Sequence, residues 1–180
     1  PLVIEQILSI AVGAADTMMV SSAGEAAVSA VSLVDNVFVL LINLFAALAT
    51  GGAVISGQYL GRRRPDVAQK AAEQLILFTA VFSVLIMALT YFFRSFILNV
   101  VFGKIEADVM SGCTTYLMIV AASIPFIALY NTGAALFRAM GDSRTAMFTA
   151  LIMNGINLIG NSILIFGLKM GVAGAAVPTL

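Results

Sequence analysis

The sequence predicts an all-α integral membrane protein, a polytopic helical bundle of about six transmembrane helices, and three observations carry that reading. Four stretches, residues 36–61, 74–93, 109–137 and 145–168, contain no charged side chain. A helix needs roughly 20 apolar residues to cross a hydrocarbon core of about 30 Å, so each stretch is long enough by itself. The chain is 61% hydrophobic and 10% charged, with mean hydropathy +1.07, whereas a soluble domain has roughly 45–50% apolar and 25% charged residues. The apolar runs are continuous, while barrel strands alternate apolar and polar residues in segments of about 10, so helices rather than strands do the spanning.

The first span is predicted over residues 1–20, where Asp16 interrupts an otherwise apolar stretch. It lacks the basic leader of a signal peptide and carries Glu5 and Asp16 within its length. The second helix is predicted over 26–59, the third over 67–98, the fourth over 108–138 and the fifth over 143–167, with a sixth starting near 172. Breaks fall where turn residues are dense: 21–24, 61–65, Gly103, 141–143 and 167–174. Asp142 or Ser143 can cap the fifth helix. The second and third helices exceed what a bilayer requires and are expected to tilt or project into the headgroups. The chain opens at Pro1 and closes inside the sixth apolar run. It therefore reads as a fragment of a longer protein, with its sixth helix incomplete.

Loop charge gives an orientation. The first, third and fifth connections hold Arg94, Lys104 and Lys169, and the second and fourth hold Arg62, Arg63, Arg64, Lys70, Arg138 and Arg144. The positive-inside rule then puts the second and fourth loops, and the N-terminus, in the cytoplasm of a multi-pass cell-membrane protein.

Composition excludes several functions. There is no histidine and one cysteine, Cys113, so an internal disulfide, a zinc site and His-based acid/base catalysis have no residues to build them, and Cys113 reads as a packing residue. Net charge is zero, which leaves no basic footprint for nucleic acid. No phosphate-binding Gly-x-x-x-x-Gly-Lys loop occurs, so any pumping draws on an ion gradient rather than on nucleotide hydrolysis. The chain is not read as an enzyme, and no cofactor or resident metal is expected.

The polar residues inside the spans are the functional candidates. On a rise of 1.5 Å per residue, Asp16 lies about 22 Å from the cytoplasmic end of its helix, Asn157 about 21 Å and Asn161 about 27 Å. Asn154, Asn157 and Asn161 share one face of the fifth helix at i, i+3, i+7. Asparagines in membranes also serve as interhelical glue. A carboxylate in the core costs about 2.5–3.5 kcal/mol on insertion scales, and such acids usually face a cavity as ion or proton sites. Asp16 suits a proton-coupled carrier, or its oxygens with those of Asn157 and Asn161 suit a transient Na⁺, and the residues alone leave both open. Asp35 is either interfacial or faces the same cavity, with Asn154 a further possible cavity residue. Pro125, inside the fourth helix, marks a kink or hinge. The Gly57/Gly61 and Gly167/Gly171 spacings fit close helix packing. Twelve Phe and nine Met offer adaptable surface for flat hydrophobic cations.

Taken in order, GAADTMMV around Asp16, GEAAVSAVSL, GGAVISGQYLGRRR, FRAMGDSR, NLIGNSILIFGL and GVAGAA resemble the N-terminal lobe of a multidrug and toxic compound extrusion (MATE) transporter, over essentially all 180 residues. The resemblance implies a twelve-helix antiporter of two six-helix lobes around a central cavity, exporting organic cations in exchange for Na⁺ or H⁺. It further implies that Asp16 is the cation site of this lobe, that Asn157 and Asn161 are the polar pair beside it, and that Pro1 is where the first helix bends. Some members carry an acid where this chain has Asn161. Two other readings compete: a flippase of lipid-linked oligosaccharides, for which basic residues are expected along the cavity, and a non-transporting membrane scaffold or truncated remnant, which has no need of a buried acid.

Overall fold

The fold was analysed as a computed structural model, which describes residues 2–22, 24–102, 106–168 and 170–179. Pro1, Gly103, Lys104 and Lys169 lie outside the described residues, and with them the hinge expected at Pro1 and two of the loop charges counted above. The described residues form helices and turns, with no strand among them. Helix α1 covers Leu2–Ser21, α2 Glu25–Gly61, α3 Pro65–Phe92, α4 Ala107–Ala139, α5 Ser143–Asn161 and α6 Val172–Ala176. By length and composition four segments suffice to cross a membrane: Glu25–Gly61, Pro65–Phe92, Ala107–Ala139 and Ser143–Gly167. Gln6–Ser21 is a shorter apolar helix.

Two elements differ from the sequence expectation. The third helix ends at Phe92 rather than near residue 98, and a short turn Arg94–Phe96 and a π-helical turn Ile97–Val101 follow it. The fifth passes after Asn161 into a π-helical turn, Ser162–Gly167; wide turns of this kind cannot be read from hydrophobic period. Helix α4 is continuous through Pro125. At 37 residues, α2 is about 55 Å long, which exceeds the bilayer core and its headgroups.

The core is the seam between α2 and α4. Ala27, Ala30, Val34, Phe38 and Phe45 of α2 recur at helical spacing and meet Cys113, Leu117, Val120, Ala121, Ile124 and Ala128 of α4. The Cys113 thiol points at the Ala30 carbonyl, 3.7 Å away, so it packs as the sequence predicts. Helix α3 joins through hydrogen bonds that satisfy polar groups away from water: Ser56 Oγ donates to Ala68 O (2.9 Å), Thr132 Oγ1 to Thr79 Oγ1 (3.2 Å) and Tyr91 Oη to Met118 O (2.8 Å).

The glycine pairs are only partly right. Gly57 packs closely, since an added Cβ would lie 3.3 Å from Ala139 O, but one on Gly61, Gly167 or Gly171 would meet nothing within 4 Å. Between α2 and α4 a tighter approach uses Gly112, where a Cβ would sit 2.9 Å from Ala30 Cβ.

Loops close by specific caps. After α4, Gly141 takes φ 86° while its N–H bonds to Arg138 O and that of Asp142 to Phe137 O, the pairing of a Schellman cap. Asp142 then caps α5, its Oδ1 accepting from Thr145 N (3.1 Å) and its Oδ2 from Thr145 Oγ1 (2.6 Å). The Thr145 hydroxyl, then its backbone N–H, holds the exposed Asp142 carboxyl below the usual carboxylate range.

Candidate functional site

A cavity of about 130 Å³ opens where α1, α2, α4, α5 and the last described turn converge. Helix α1 lines it with Gly13, Asp16, Thr17 and Val20, and α2 with Val28, Val31, Ser32 and Asp35. Both sets follow i, i+3, i+4, i+7, the pattern of one helix face, so each helix turns a small, partly polar stripe toward the other. Tyr116 from α4, Asn161 from α5, and Ala175 and Thr179 complete the wall. None of these lining residues is Lys or Arg.

The polar side chains form two hydrogen-bonded groups. In the first, Asn161 Nδ2 donates to Asp16 Oδ1 at 2.7 Å and to Asn157 Oδ1 at 3.1 Å. Asn157 Nδ2 reaches Thr179 Oγ1 at 3.4 Å, and that hydroxyl donates to Ala175 O at 3.2 Å. This chain ties α1 to α5 across 145 residues of sequence and α5 to the final turn. Asn161 is 2% exposed, and its Oδ1 has no hydrogen-bond partner among the described residues. A buried amide oxygen of this kind is costly when unpaired, and the Nδ2 of the same amide is committed to Asp16 and Asn157. In the second group, Tyr116 Oη donates to Asp35 Oδ1 at 3.0 Å. Thr17 Oγ1 returns to Gly13 O in its own helix, 3.0 Å away.

The structure thus brings Asp16, Asn157 and Asn161 into one network, with Asn157 behind Asn161 rather than on the cavity wall. Asp35 lines the cavity. Asn154 neither lines the cavity nor makes a side-chain hydrogen bond among the described residues. It lies about 4.5 Å below Asn157 on the same face, one turn short of the converging helices.

Sequence reasoning missed Tyr116, Thr17, Ser32 and Thr179. Tyr116 had a legible signal: it falls between Cys113 and Val120 on the buried face of α4, where a phenol needs a partner for its hydroxyl. Thr179 had none, because its place depends on how α6 folds back.

A family model described as MatE matches residues 1–163. The Uncharacterized transporter YisQ of Bacillus subtilis is 33% identical over 99% of this chain and 40% of its own length. The Probable multidrug resistance protein NorM of Thermotoga maritima is 27% identical over 98% of this chain and 38% of its own length. A solved structure described as the outward-facing conformation of a multidrug resistance MATE family transporter superposes with TM-score 0.86 at 26% identity, covering 98% of this chain and 39% of that one. The chain spans about 40% of the length of the curated relatives it matches, the extent of one lobe.

Proposed function

Because the chain belongs to the MatE family, whose members are multi-pass membrane transporters rather than enzymes, we propose that it is the N-terminal lobe of a secondary antiporter exporting lipophilic organic cations in exchange for Na⁺ or H⁺. Asp16 exchanges the ion, and Asn157 and Asn161 orient or co-ligate it. The observation that carries this reading is the Asp16–Asn161–Asn157 chain, a carboxylate held by a buried amide beside a polar cavity, in a helix whose one other charged residue is Glu5. An acid so placed is costly unless a cation visits it. Relatives named as multidrug resistance and multidrug export proteins support the substrate class. Residues 1–20, 109–137 and 145–168 hold no Lys or Arg, which weighs against a pyrophosphate-bearing lipid as cargo. The protein sits in the cell membrane with its N-terminus in the cytoplasm, and a second lobe completes the pathway, since alternating access needs one repeat to rock against another.

The test is ion-gradient-driven ethidium efflux from proteoliposomes holding the full-length protein that contains this chain. Asp16→Asn is expected to abolish driven efflux while leaving a monodisperse, inserted protein. Asn157→Ala and Asn161→Ala are expected to weaken it less, since each removes a neutral ligand rather than the charge. A well-folded Asp16→Asn protein pumping at the wild-type rate makes the carboxylate structural and ends this mechanism.

A further inference from the structure

We propose that Asp35, held by Tyr116, is a second cation-binding carboxylate, so that the cavity exchanges two monovalent cations in each cycle, one on Asp16 and one on Asp35. This rests on the reading of the cavity as the ion site of an antiporter, and adds its stoichiometry and a residue outside the Asp16 network.

The two acids stand on the facing stripes of α1 and α2 and are separate in bonding. Asp16 stands at the second position of the Gly13, Asp16, Thr17, Val20 stripe, and Asp35 ends the matching stripe of α2. Each carboxylate has its own donor, Asn161 for Asp16 and Tyr116 for Asp35, on different helices. Each uses one oxygen for that bond, and the other makes no hydrogen bond among the described residues. Tyr116 is 5% exposed, so its phenol is fixed by packing and holds Asp35 where it is.

Charge and size select the ligand. Two carboxylates share a wall without a Lys or Arg, so neutrality inside a membrane requires two cationic equivalents rather than one. The remaining polar groups are the hydroxyls of Thr17, Ser32, Tyr116 and Thr179 and the amide of Asn161, whose Nδ2 donates to Asp16 and whose Oδ1 is buried with no partner among the described residues. Acceptors that are all oxygens suit protons and hard cations. The cavity of about 130 Å³ has room for a few water-sized ligands at about 30 Å³ each and is well below the roughly 300–1,000 Å³ of drug pockets. It is therefore an ion chamber, and the exported molecule sits elsewhere. Separate donors on separate helices make two monovalent sites rather than one divalent site.

The experiment measures coupling stoichiometry by reversal potential in proteoliposomes of the full-length protein, with ethidium as substrate and H⁺ and Na⁺ gradients in separate arms. Wild type is expected to move two ions per ethidium and Asp35→Asn one, with transport retained. Tyr116→Phe is expected to keep two while shifting the half-saturating ion concentration. Loss of all driven transport in Asp16→Asn tests the antiporter reading and leaves this one to the ratio. A wild-type ratio of one, or an unchanged ratio in Asp35→Asn, overturns the proposal. A readout independent of transport is the infrared difference spectrum of purified protein between ion-loaded and ion-free buffers. Two carboxyl signals are expected, one lost in each Asp→Asn variant and the Asp35 signal displaced in Tyr116→Phe. A spectrum holding the Asp16 signal alone, or displacement of both signals by one bound Ca²⁺ or Mg²⁺, also overturns it.

Discussion

Arg63 sits at φ 57°, the one described non-glycine residue in the left-handed region. Its N–H bonds to Leu60 O and that of Arg64 to Tyr59 O, the same pairing that Gly141 and Asp142 make after α4. Two loops at one end of the bundle therefore use the same Schellman cap, one with the residue the conformation prefers and one without it. The left-handed conformation costs an L-residue about 1–2 kcal/mol, of which glycine's greater chain entropy takes back part. Arg63→Gly is accordingly expected to stabilise the protein by up to about 1 kcal/mol, read as a higher melting temperature of the detergent-solubilised full-length protein. A lower melting temperature means the side chain, and not the backbone, governs that position. The arginine run reads from the sequence as a topological signal; the strain within it follows from hydrogen bonds that only the folded loop displays.

At the scale of helices, α2 and α4 approach most closely where Gly112 faces Ala30, which is 0% exposed. Neither partner has a flexible end that can move aside, so Gly112→Ala must push the helices apart. Overpacking of this kind costs about 1–3 kcal/mol, and Ala30→Gly in the same protein is expected to restore part of it, since contacting sites are not additive. A thermal melt unchanged by Gly112→Ala refutes the close approach. The same helices set the polarity of the bundle. Gly57 near the end of α2 lies against Ala139 at the end of α4, so Arg62, Arg63, Arg64, Lys70, Arg138 and Arg144, six of the nine Lys and Arg residues, gather at one end. A cytoplasmic location for that end predicts that an impermeant thiol reagent on intact cells misses cysteines introduced at Gly61 or Gly141 and reaches one at Glu106. Native Cys113 is 0% exposed and adds little background. Labelling of the Gly61 position from outside reverses the orientation and the depths derived from it.

At the scale of the molecule, many large apolar side chains of α2, α3 and α5 are exposed, among them Leu40, Leu77, Phe78, Val81, Phe148, Ile152 and Ile156. Such surface is at home against lipid tails or a second lobe. On the proposed function, a partner lobe is needed to build the larger chamber that a dye would occupy. Expression of the full-length protein in efflux-deficient cells is expected to lower ethidium accumulation, whereas residues 1–180 alone are expected to leave it unchanged at equal membrane abundance. Unchanged accumulation with the full-length protein favours the flippase or scaffold readings.

How much of this was legible before the fold depended on the range of the interaction involved. Helix number and approximate ends followed from charge-free runs and turn residues, because crossing a membrane imposes length and apolarity locally, whatever the neighbours are. The candidate acid and asparagines stood out for the same reason: a polar group in such a run is costly wherever it faces. Asn154 shows the limit, since its place on the stripe is a matter of period, while its absence from the cavity is a matter of where α5 meets α1. Asp35 shows it from the other side. Its sequence position beside an apolar run allowed either headgroups or cavity, and its place on the cavity wall with Tyr116, 81 residues away, comes from tertiary packing. The wide turns after Asn161 and Phe96, the glycine at which α2 and α4 touch, and the pairing of each carboxylate with its own donor were likewise decided by tertiary packing. Those features depend on distances between helices, and helical period fixes which face a residue occupies but not what that face meets.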